Sequence, residues 1–367
     1  MIRVAFLFST LEGFGLVKIM FSLAKYLKRN TAFDVYVITL SPEPKNSYIN
    51  EFHKENIPVH CIGMSRLKGM FYSQTELIRL LNKLQINILH SNGFRANLIH
   101  SQIVSKTPHI KEVMTIHLDP NDDAKHPLGP LFRWWRKKKH IAIIKKSKTA
   151  LACSRSISDR LKKYEILIPY IQNGIDLETL EYDNTSSQIK SDLNIAEHLS
   201  LFVVLSGLHK RKNIDIIIRA FNELGCNFPL LVIGDGADMK RLKDMSIGNH
   251  IQFLGYQKNT IKYLKNSDIF LSASSSEGLP LSVMEAMYME NIPVLSTISP
   301  HLEIIGNSSF MNYSFECEDV DTVISHCRSL ASCDLSRLKK EAREIITRHF
   351  SANRMTEEYI ALYKKII

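Results

Sequence analysis

The sequence of 367 residues contains no apolar run that approaches the ~20 residues needed for a membrane-spanning helix. Its six cysteines are scattered, with neither a CxxC pair nor a metal-ligand spacing, which argues against a disulfide framework and a zinc site. The N-terminal apolar run is not followed by the small residues of a signal-peptide cleavage site, and we interpret it as a buried strand. These absences predict a protein of the reducing cytosol whose membrane contact is peripheral.

Two ligand motifs are missing or incomplete. No DxD pair stands at a predicted strand end, and "NDD" at 121–123 lacks the required spacing and context. The dinucleotide fingerprint G-x-G-x-x-G is incomplete, because Gly13 and Gly15 are followed by Lys18 at the third glycine position. We therefore expect neither a metal ion nor a bound cofactor.

Positive charge is in excess, with a formal net charge of +10, which favours an anionic partner such as a nucleotide, a phospholipid head group or a nucleic acid. The segment 131–148 holds much of it: basic residues surround the adjacent Trp134 and Trp135, and no acidic residue interrupts them. A solvated basic helix and a helix lying on an anionic membrane both fit this pattern. No nucleic-acid recognition module accompanies the charge.

Short β-rich runs alternate with runs of helical period in two series, the first opening with "IRVAFLF" and the second near residue 199. This alternation predicts two doubly wound α/β domains with parallel sheets. We place the boundaries as follows: a first domain at 1–175, a linker at 176–198, a second domain at 199–348 and a closing helix at 349–367.

The closing helix is predicted from apolar residues at helical spacing, and no strand follows it. The predicted apolar positions are Met355, Tyr359, Leu362 and Ile366. We expect this helix to pack on the outside and to cross back to the first domain.

The segment "SEGLPLSVMEAM" at 276–287 follows a predicted strand and opens a helix. Pro280 is tolerated in a first helical turn, since the N–H that it lacks would be unpaired there. Unsatisfied N–H groups from Gly278 through Leu279 to Leu281, together with the positive end of the helix dipole, predict an anion site. Gly278 would allow the backbone to approach a phosphate closely.

Glu277 and Glu285 stand eight positions apart across this turn. Glu285 lies inside the predicted helix, and a carboxylate accepts paired hydrogen bonds from vicinal hydroxyls such as those of a ribose. Glu277 lies on the loop, nearer the carboxyl ends of the strands, where open α/β sheets bind ligands. Either glutamate alone is explained by a solvated or capping role, whereas the pair favours a ligand site.

"EGLPLSVMEAM" resembles the Glu-x7-Glu signature of the retaining, nucleotide-sugar-dependent glycosyltransferases of family four. The resemblance continues through "SGLHKRKNIDIIIRAF", "LVIGDGADMKRL", "YIQNGIDLETL" and "VMTIHLD", and it is strongest between 200 and 300. It implies the GT-B fold, in which two Rossmann-like domains face a cleft and a C-terminal helix packs back towards the first domain.

The resemblance also implies roles for individual residues. Glu285 would hold the donor ribose, Glu277 would contact hydroxyls of the transferred sugar, and Lys212 would grip the diphosphate. A fixed ammonium and helix N–H groups can stabilise the negative charge that builds on the departing phosphate. Tyr256 lies within the family-like run 253–287 and belongs to the predicted donor site.

The sequence departs from the family pattern at two places. Gly207 stands where the family has an arginine, so either His209, Lys210 or Arg211 compensates, or the donor is held differently. The segment "STISPHLEII" lacks the usual glycine pair, although Glu303 matches the family position. We assign no role to Glu303.

Two features of the first domain complete the predicted site. His117 ends the run "VMTIH" and is either structural or, as the resemblance implies, a contact of the donor sugar that stabilises an oxocarbenium-like centre. Gly13 and Gly15 form either a ligand-free turn or a loop that faces the donor phosphates or the acceptor.

The sequence thus predicts a metal-independent, retaining glycosyltransferase that moves a sugar from a UDP- or GDP-sugar to a glycan or lipid-linked acceptor in bacterial surface polysaccharide or glycolipid biosynthesis. A front-side displacement is the mechanism that the family implies. We expect a cytoplasmic protein without a nucleic-acid partner, for which association with the inner face of the cell membrane through 131–148 is an option. A nucleotide-sugar epimerase and a non-catalytic nucleotide-sugar or membrane-binding protein are the alternatives.

Overall fold

The computed structural model describes residues 1–13, 15–64, 73–123, 129–181 and 188–367. The chain forms two compact units: Met1–Gly174 together with Ala352–Ile367, and Ile175–Ser351. Each unit contains a six-stranded parallel sheet with helices packed on it, which confirms the predicted fold class. Residues 182–187 of the predicted linker lie outside the described residues.

The sheet of the first unit has the strand order β3-β2-β1-β4-β5-β6, and its neighbouring strands pair in parallel. The strands are β1 (Ile2–Phe8), β2 (Phe33–Thr39), β3 (Val59–Cys61), β4 (Ile88–Asn92), β5 (Lys111–Ile116) and β6 (Ala150–Ala152). The central strand β1 is a nearly continuous apolar run because helices cover both faces of a parallel sheet. Strand order reverses between β1 and β4, which marks the switch point where such sheets bind ligands.

Helices connect these strands. They are α1 (Gly15–Lys28), α2 (Ile49–Lys54), α3 (Ser73–Lys83), α4 (Phe94–Ile103), α5 (Pro120–Asp123), α6 (Gly129–Lys146) and α7 (Arg155–Leu161), with 3-10 turns at Val104–Lys106 and Lys162–Tyr164.

The sheet of the second unit has the order β12-β11-β10-β7-β8-β9, again with parallel pairing. The strands are β7 (Phe202–Leu205), β8 (Leu230–Ile233), β9 (Ile251–Gly255), β10 (Ile269–Ser272), β11 (Ile292–Ser296) and β12 (Ser314–Phe315). Strand order reverses between β7 and β10, so the loops after these two strands are expected to carry the ligand site.

The helices of the second unit cover both faces of its sheet. They are α8 (Leu177–Glu181), α9 (Ile189–Asp192), α10 (Ile214–Leu224), α11 (Met239–Met245), α12 (Ile261–Lys265), α13 (Leu281–Tyr288), α14 (Ser299–Ile305), α15 (Val320–Ala331) and α16 (Ser336–His349), with 3-10 turns at Lys210–Lys212 and Ser309–Tyr313.

The last helix, α17 (Ala352–Ile366), belongs to the first unit and packs against α1, which confirms that the chain returns to its first domain. The predicted apolar face is correct for Met355 and Tyr359, but it continues at Tyr363, while Leu362 and Ile366 are only half-buried. Tyr363 is fully buried, and its hydroxyl is satisfied by Nδ1 of the buried His90 at 2.7 Å.

Candidate active site

The loops after β7 and β10 bring Lys212 and Glu277 together at the switch point of the second unit. Lys212 ends the 3-10 turn that follows β7, and Glu277 lies in the loop between β10 and α13. The Lys212 ammonium donates a hydrogen bond to Oε1 of Glu277, and the two side chains are 14% and 8% exposed. The carboxylate and the ammonium that the sequence assigned to sugar and diphosphate are therefore direct neighbours.

Arg211 ties the same two loops together. Its guanidinium donates to the carbonyl oxygen of Ser276 at 2.8 Å and to Oε2 of Glu277 at 3.2 Å. In return, the backbone N–H and the hydroxyl of Ser275 donate to the carbonyl oxygen of Arg211 at 2.8 Å and 3.0 Å. Of the three residues considered as substitutes for the missing arginine, Arg211 is thus the one that contacts Glu277.

Glu277 is held in its ionised form. Burial alone raises the pKa of this carboxyl, but the positive charges of Lys212 and Arg211 and the hydrogen bonds from Lys212 and Ser274 outweigh it and lower the pKa to about 2. An ionised carboxylate only accepts hydrogen bonds. At neutral pH Glu277 can therefore receive hydrogen bonds from sugar hydroxyls without first losing a proton.

Helix α13 begins one residue later than predicted. Pro280 is in an extended conformation immediately before the helix, and Leu281 is the first helical residue. Gly278, Leu279 and Pro280 are buried with the loop that carries Glu277. The first N–H groups of a helix have no partner within it, and the anion site expected at the start of α13 stays a prediction.

Glu285 occupies the fifth position of α13 and is almost fully buried. It is thus not a solvated surface glutamate. Its assignment to the donor ribose stays a prediction.

The loop after β7 packs closely on the turn after β8. A Cβ atom at Gly234 would lie 1.9 Å from the carbonyl oxygen of Ser206, and one at Gly236 would lie 2.3 Å from that of Leu208. Both positions therefore require glycine. A Cβ atom at Gly207 would lie 3.3 Å from the ring of the exposed His209, so a side chain at position 207 would require only a small shift of that imidazole.

Other predicted donor residues lie on the surface or away from the group formed by Glu277, Lys212 and Arg211. His209 and Lys210 are exposed. Tyr256 is 71% exposed and follows the edge strand β9, which β8 separates from β7. Its donor role stays a prediction.

The predicted residues of the first unit lie after its central strands. His117 follows β5 and is half-buried, with its Nε2 3.1 Å from Oδ1 of Asn92, the last residue of β4. Gly13 follows β1, and Gly15 is the first residue of α1; Phe14 lies outside the described residues. Each position is at the carboxyl edge of the first sheet.

The described part of the chain contains neither a metal-binding cluster nor a membrane-spanning helix. Among these residues, no group of three or more His, Cys, Asp and Glu side chains could hold a metal ion. None of the helices described here combines the length and apolarity needed to cross a bilayer.

Sequence reasoning missed three buried residues behind Glu277: Ser274, Ser296 and His301. In the segment "STISPHLEII" the family comparison concerns only the missing glycine pair and Glu303, and it assigns no role to Ser296 or His301. A usable signal was present, because small polar residues at the ends of two neighbouring strands stand at the ligand-binding edge of a parallel sheet.

The fold and this site define a two-domain α/β protein of the GT-B type. Residues 15–179 match the family model described as Glycosyltransferase Family 4, and residues 185–347 match the model described as Glycosyl transferases group 1. The two matches together account for most of the chain. The chain therefore belongs to the GT-B glycosyltransferases that combine a family 4 domain with a group 1 domain.

Similar proteins span nearly the whole chain. UDP-Gal:alpha-D-GlcNAc-diphosphoundecaprenol alpha-1,3-galactosyltransferase of Escherichia coli is 24% identical in an alignment 353 residues long. The alignment covers 91% of this chain and 89% of the relative. The capsular polysaccharide biosynthesis glycosyltransferase CapH of Staphylococcus aureus is 26% identical, with 87% of each chain covered. The structure of Anabaena Alr3699/HepE in complex with UDP and glucose has a TM-score of 0.82 at 14% identity and covers 100% of both chains, which supports the fold.

Proposed function

We propose that this protein is a retaining glycosyltransferase that moves a sugar from a UDP-sugar to a hydroxyl of a glycan or lipid-linked acceptor. The observation that carries the proposal is the ionised Glu277, held by Lys212 and Arg211 on the loop that precedes α13. Cations beside a helix start can stabilise a departing diphosphate, and the carboxylate can orient the sugar attached to it.

The proposed roles divide the donor into three parts. Lys212 and the start of α13 hold the diphosphate, Glu277 accepts hydrogen bonds from the transferred sugar, and Glu285 accepts those of the ribose. Donor binding would draw Lys212 from Glu277 towards the phosphates, with Arg211 keeping the carboxylate paired. His117 is proposed to contact the transferred sugar, and the loop at Gly13 and Gly15 the donor phosphates or the acceptor.

UDP is the nucleotide that the similar proteins support. The name of the E. coli relative specifies UDP-Gal, and the Anabaena neighbour was crystallised with UDP. The same relative acts on a diphosphoundecaprenol-linked sugar, which supports a lipid-linked acceptor. GDP remains the second candidate nucleotide.

A donor panel tests this function. Purified protein is incubated with UDP-glucose, UDP-galactose, UDP-N-acetylglucosamine or GDP-mannose and with lipid-linked glycan acceptors, and both nucleoside diphosphate release and the glycosylated product are measured. Transfer from one UDP-sugar is expected. Isomerisation of the donor without transfer would identify an epimerase, and UDP binding without either reaction would identify a non-catalytic protein.

The finer points of the mechanism need two further measurements. Full activity in EDTA is expected if basic residues and the helix start replace a metal ion. A loss of activity that Mg²⁺ or Mn²⁺ restores would overturn metal independence.

Proton NMR of the early product should show the anomeric configuration of the donor. The opposite anomer would exclude retention.

Helix α6 supports membrane contact in this proposal. Its outer face carries Leu131, Trp134 and Trp135, which are 85%, 57% and 43% exposed, next to the exposed Lys138 and Lys139. The Lys138 ammonium lies 4.2 Å from the centre of the Trp134 ring. Amphipathic aromatic rings beside lysines suit the interface of a bilayer rich in anionic lipid.

Vesicle sedimentation tests this surface. Protein should bind vesicles of phosphatidylglycerol and phosphatidylcholine, and should not bind phosphatidylcholine alone. At about 1 kcal/mol per lysine, Lys138→Gln with Lys139→Gln should weaken binding by ~30-fold. The matched control, Lys364→Gln with Lys365→Gln, removes two exposed lysines of α17. An equal loss in both double variants would refute the α6 surface.

A further inference from the structure

A buried histidine joins the ends of two strands beneath the Glu277 loop. His301 lies in α14 and is fully buried. Its Nδ1 is 2.9 Å from the carbonyl oxygen and 3.1 Å from Oγ of Ser296, the last residue of β11. Its Nε2 is 3.4 Å from Oγ of Ser272, the last residue of β10.

The ring is neutral, and its tautomer follows from its partners. Burial lowers the pKa of His301 to about 4; the nearby Glu277 and the Ser296 backbone oppose this shift, and Lys212 adds to it. A carbonyl oxygen only accepts hydrogen bonds, so Nδ1 carries the ring proton and donates a hydrogen bond to the carbonyl oxygen of Ser296. Nε2 is then an acceptor.

The contacts continue from His301 to Glu277 through two buried serines. The Ser296 hydroxyl donates to the carbonyl oxygen of Ser274 at 2.7 Å. The Ser274 side chain is hydrogen-bonded to the carboxylate of Glu277. Lys212 and Arg211 attract this carboxylate by charge, whereas Ser274 contributes a neutral hydrogen bond, which is directional.

We infer that His301 is a positioning residue, which holds Ser296 and thereby sets Ser274 and the carboxylate of Glu277 in the geometry needed for transfer. The inference rests on the proposed function, since it assigns His301 to the same reaction. His301 itself is buried and acts through the serines. Displacement of a reacting group by about 1 Å can lower a rate by ~100-fold, so a small shift of Ser274 would be measurable.

Two substitutions at position 301 separate positioning from packing. In His301→Leu the donor to Ser296 is lost, and kcat is expected to fall by ~10- to 100-fold, while the Kd of UDP stays within about threefold. In His301→Asn the amide N–H can replace Nδ1–H, and most of kcat should return. Ser296→Ala removes the hydroxyl that reaches Ser274 and should lower kcat in the same range.

The control is His250→Leu in the same unit. His250 precedes β9 at the amino edge of the sheet, and its Nε2 lies 2.9 Å from the carbonyl oxygen of Phe221. This variant also removes a histidine that contacts a buried carbonyl, so it should lower the melting temperature without lowering kcat. A His301→Leu enzyme with unchanged kcat, or a His301→Asn enzyme as slow as His301→Leu, would overturn the inference.

Failure of the proposed function gives a different result. If the wild-type protein transfers no sugar from any donor, the proposed function fails, and crystal structures of His301→Leu and His301→Asn then test the geometry directly. Movement of the Glu277 carboxylate away from Ser274 in His301→Leu, but not in His301→Asn, supports the positioning role. An unmoved carboxylate in both variants rejects it.

Discussion

The two sheets have the same strand order but their units carry different polar groups. Read from β9, the second sheet runs β9-β8-β7-β10-β11-β12, which repeats the order β3-β2-β1-β4-β5-β6 of the first. In the first sheet, Gly93 alone separates β4 from α4, whereas residues 273–280 separate the equivalent β10 from α13. The longer loop provides the room for Glu277.

The polar groups of the two units differ accordingly. In the second unit, Glu277 is paired with two cations at the carboxyl edge. In the first unit, the buried His90 lies between Thr115 and Tyr363. Its Nδ1 is 2.7 Å from the Tyr363 hydroxyl, and its Nε2 is 2.7 Å from Oγ1 of Thr115. The contact with Tyr363 joins the strand β4 to the helix α17. The same topology therefore supports a charged group of residues after a strand in the second unit and a neutral network that starts within the strands in the first.

The largest expected effect is on catalysis at the charged edge. Glu277→Gln removes the charge that we propose faces the transferred sugar and should lower kcat by ~100- to 1,000-fold, the range found when one preorganised group is lost from an active site. The rate of UDP release from the donor, compared between wild type and Glu277→Gln, measures this fall in kcat. The exposed Glu197 provides the control Glu197→Gln, which should retain full activity. Normal turnover in Glu277→Gln would remove the proposed functional difference between the two units.

The next effect is on stability as a function of pH. The pKa of Glu277 falls from 4.5 to about 2 on folding, so its contribution is complete above pH 4.5 and is lost as the pH falls towards 2. At 1.36 kcal/mol per pKa unit, this contribution is on the order of 3 kcal/mol. Denaturant unfolding of wild type and Glu277→Gln between pH 6 and pH 2 should show the pH-dependent part of their difference disappear over this window.

His90 should behave differently, which sharpens the comparison. Burial lowers the pKa of His90 well below 6.5, so the unfolded chain gains a proton that the folded unit excludes, and stability falls as the pH drops below 6.5. The loss of stability linked to His90 therefore begins at a higher pH than the loss of stability linked to Glu277. A single acid transition that is identical in wild type and Glu277→Gln would contradict the assignment.

A smaller effect is expected in the neutral network. Tyr363→Phe leaves Nδ1 of His90 without the hydroxyl and should lower the free energy of unfolding by about 1–2 kcal/mol, with kcat unchanged. Tyr170→Phe, at a partly exposed position of the same unit, should change it by less than about 0.5 kcal/mol. A fall in kcat without a fall in stability would show that this network serves the reaction as well.

The smallest effect is expected at Gly13. Its backbone is outside the left-handed region, and an added Cβ would lie 3.3 Å from the carbonyl oxygen of Asn46. Gly13→Ala should therefore change stability by less than about 1 kcal/mol. If the loop faces a substrate, the KM of that substrate should rise a few-fold. An unchanged KM for both donor and acceptor would leave Gly13 as a ligand-free turn.

Much of the fold could be read from local pattern. The apolar runs that became β1 and β7 alternate with helical runs, and this period specifies parallel α/β units without reference to distant residues. The helical spacing in α17 was also correct for its first two apolar positions. It could not decide between Leu362 and Tyr363, because spacings of three and of four residues after Tyr359 both continue an apolar stripe. In the structure Tyr363 is the buried residue, and its hydroxyl contacts His90.

By itself, the sequence determined two parallel sheets and placed Glu277 and Glu285 around the turn that opens α13, since periodicity and turn chemistry act over a few residues. Only the tertiary structure decided that Arg211, rather than His209 or Lys210, contacts Glu277, and that His301 reaches it through two serines. Arg211 is 65 positions from the Ser276 carbonyl that it binds. Such contacts depend on how the ends of different strands pack together, and a local sequence pattern does not specify that packing.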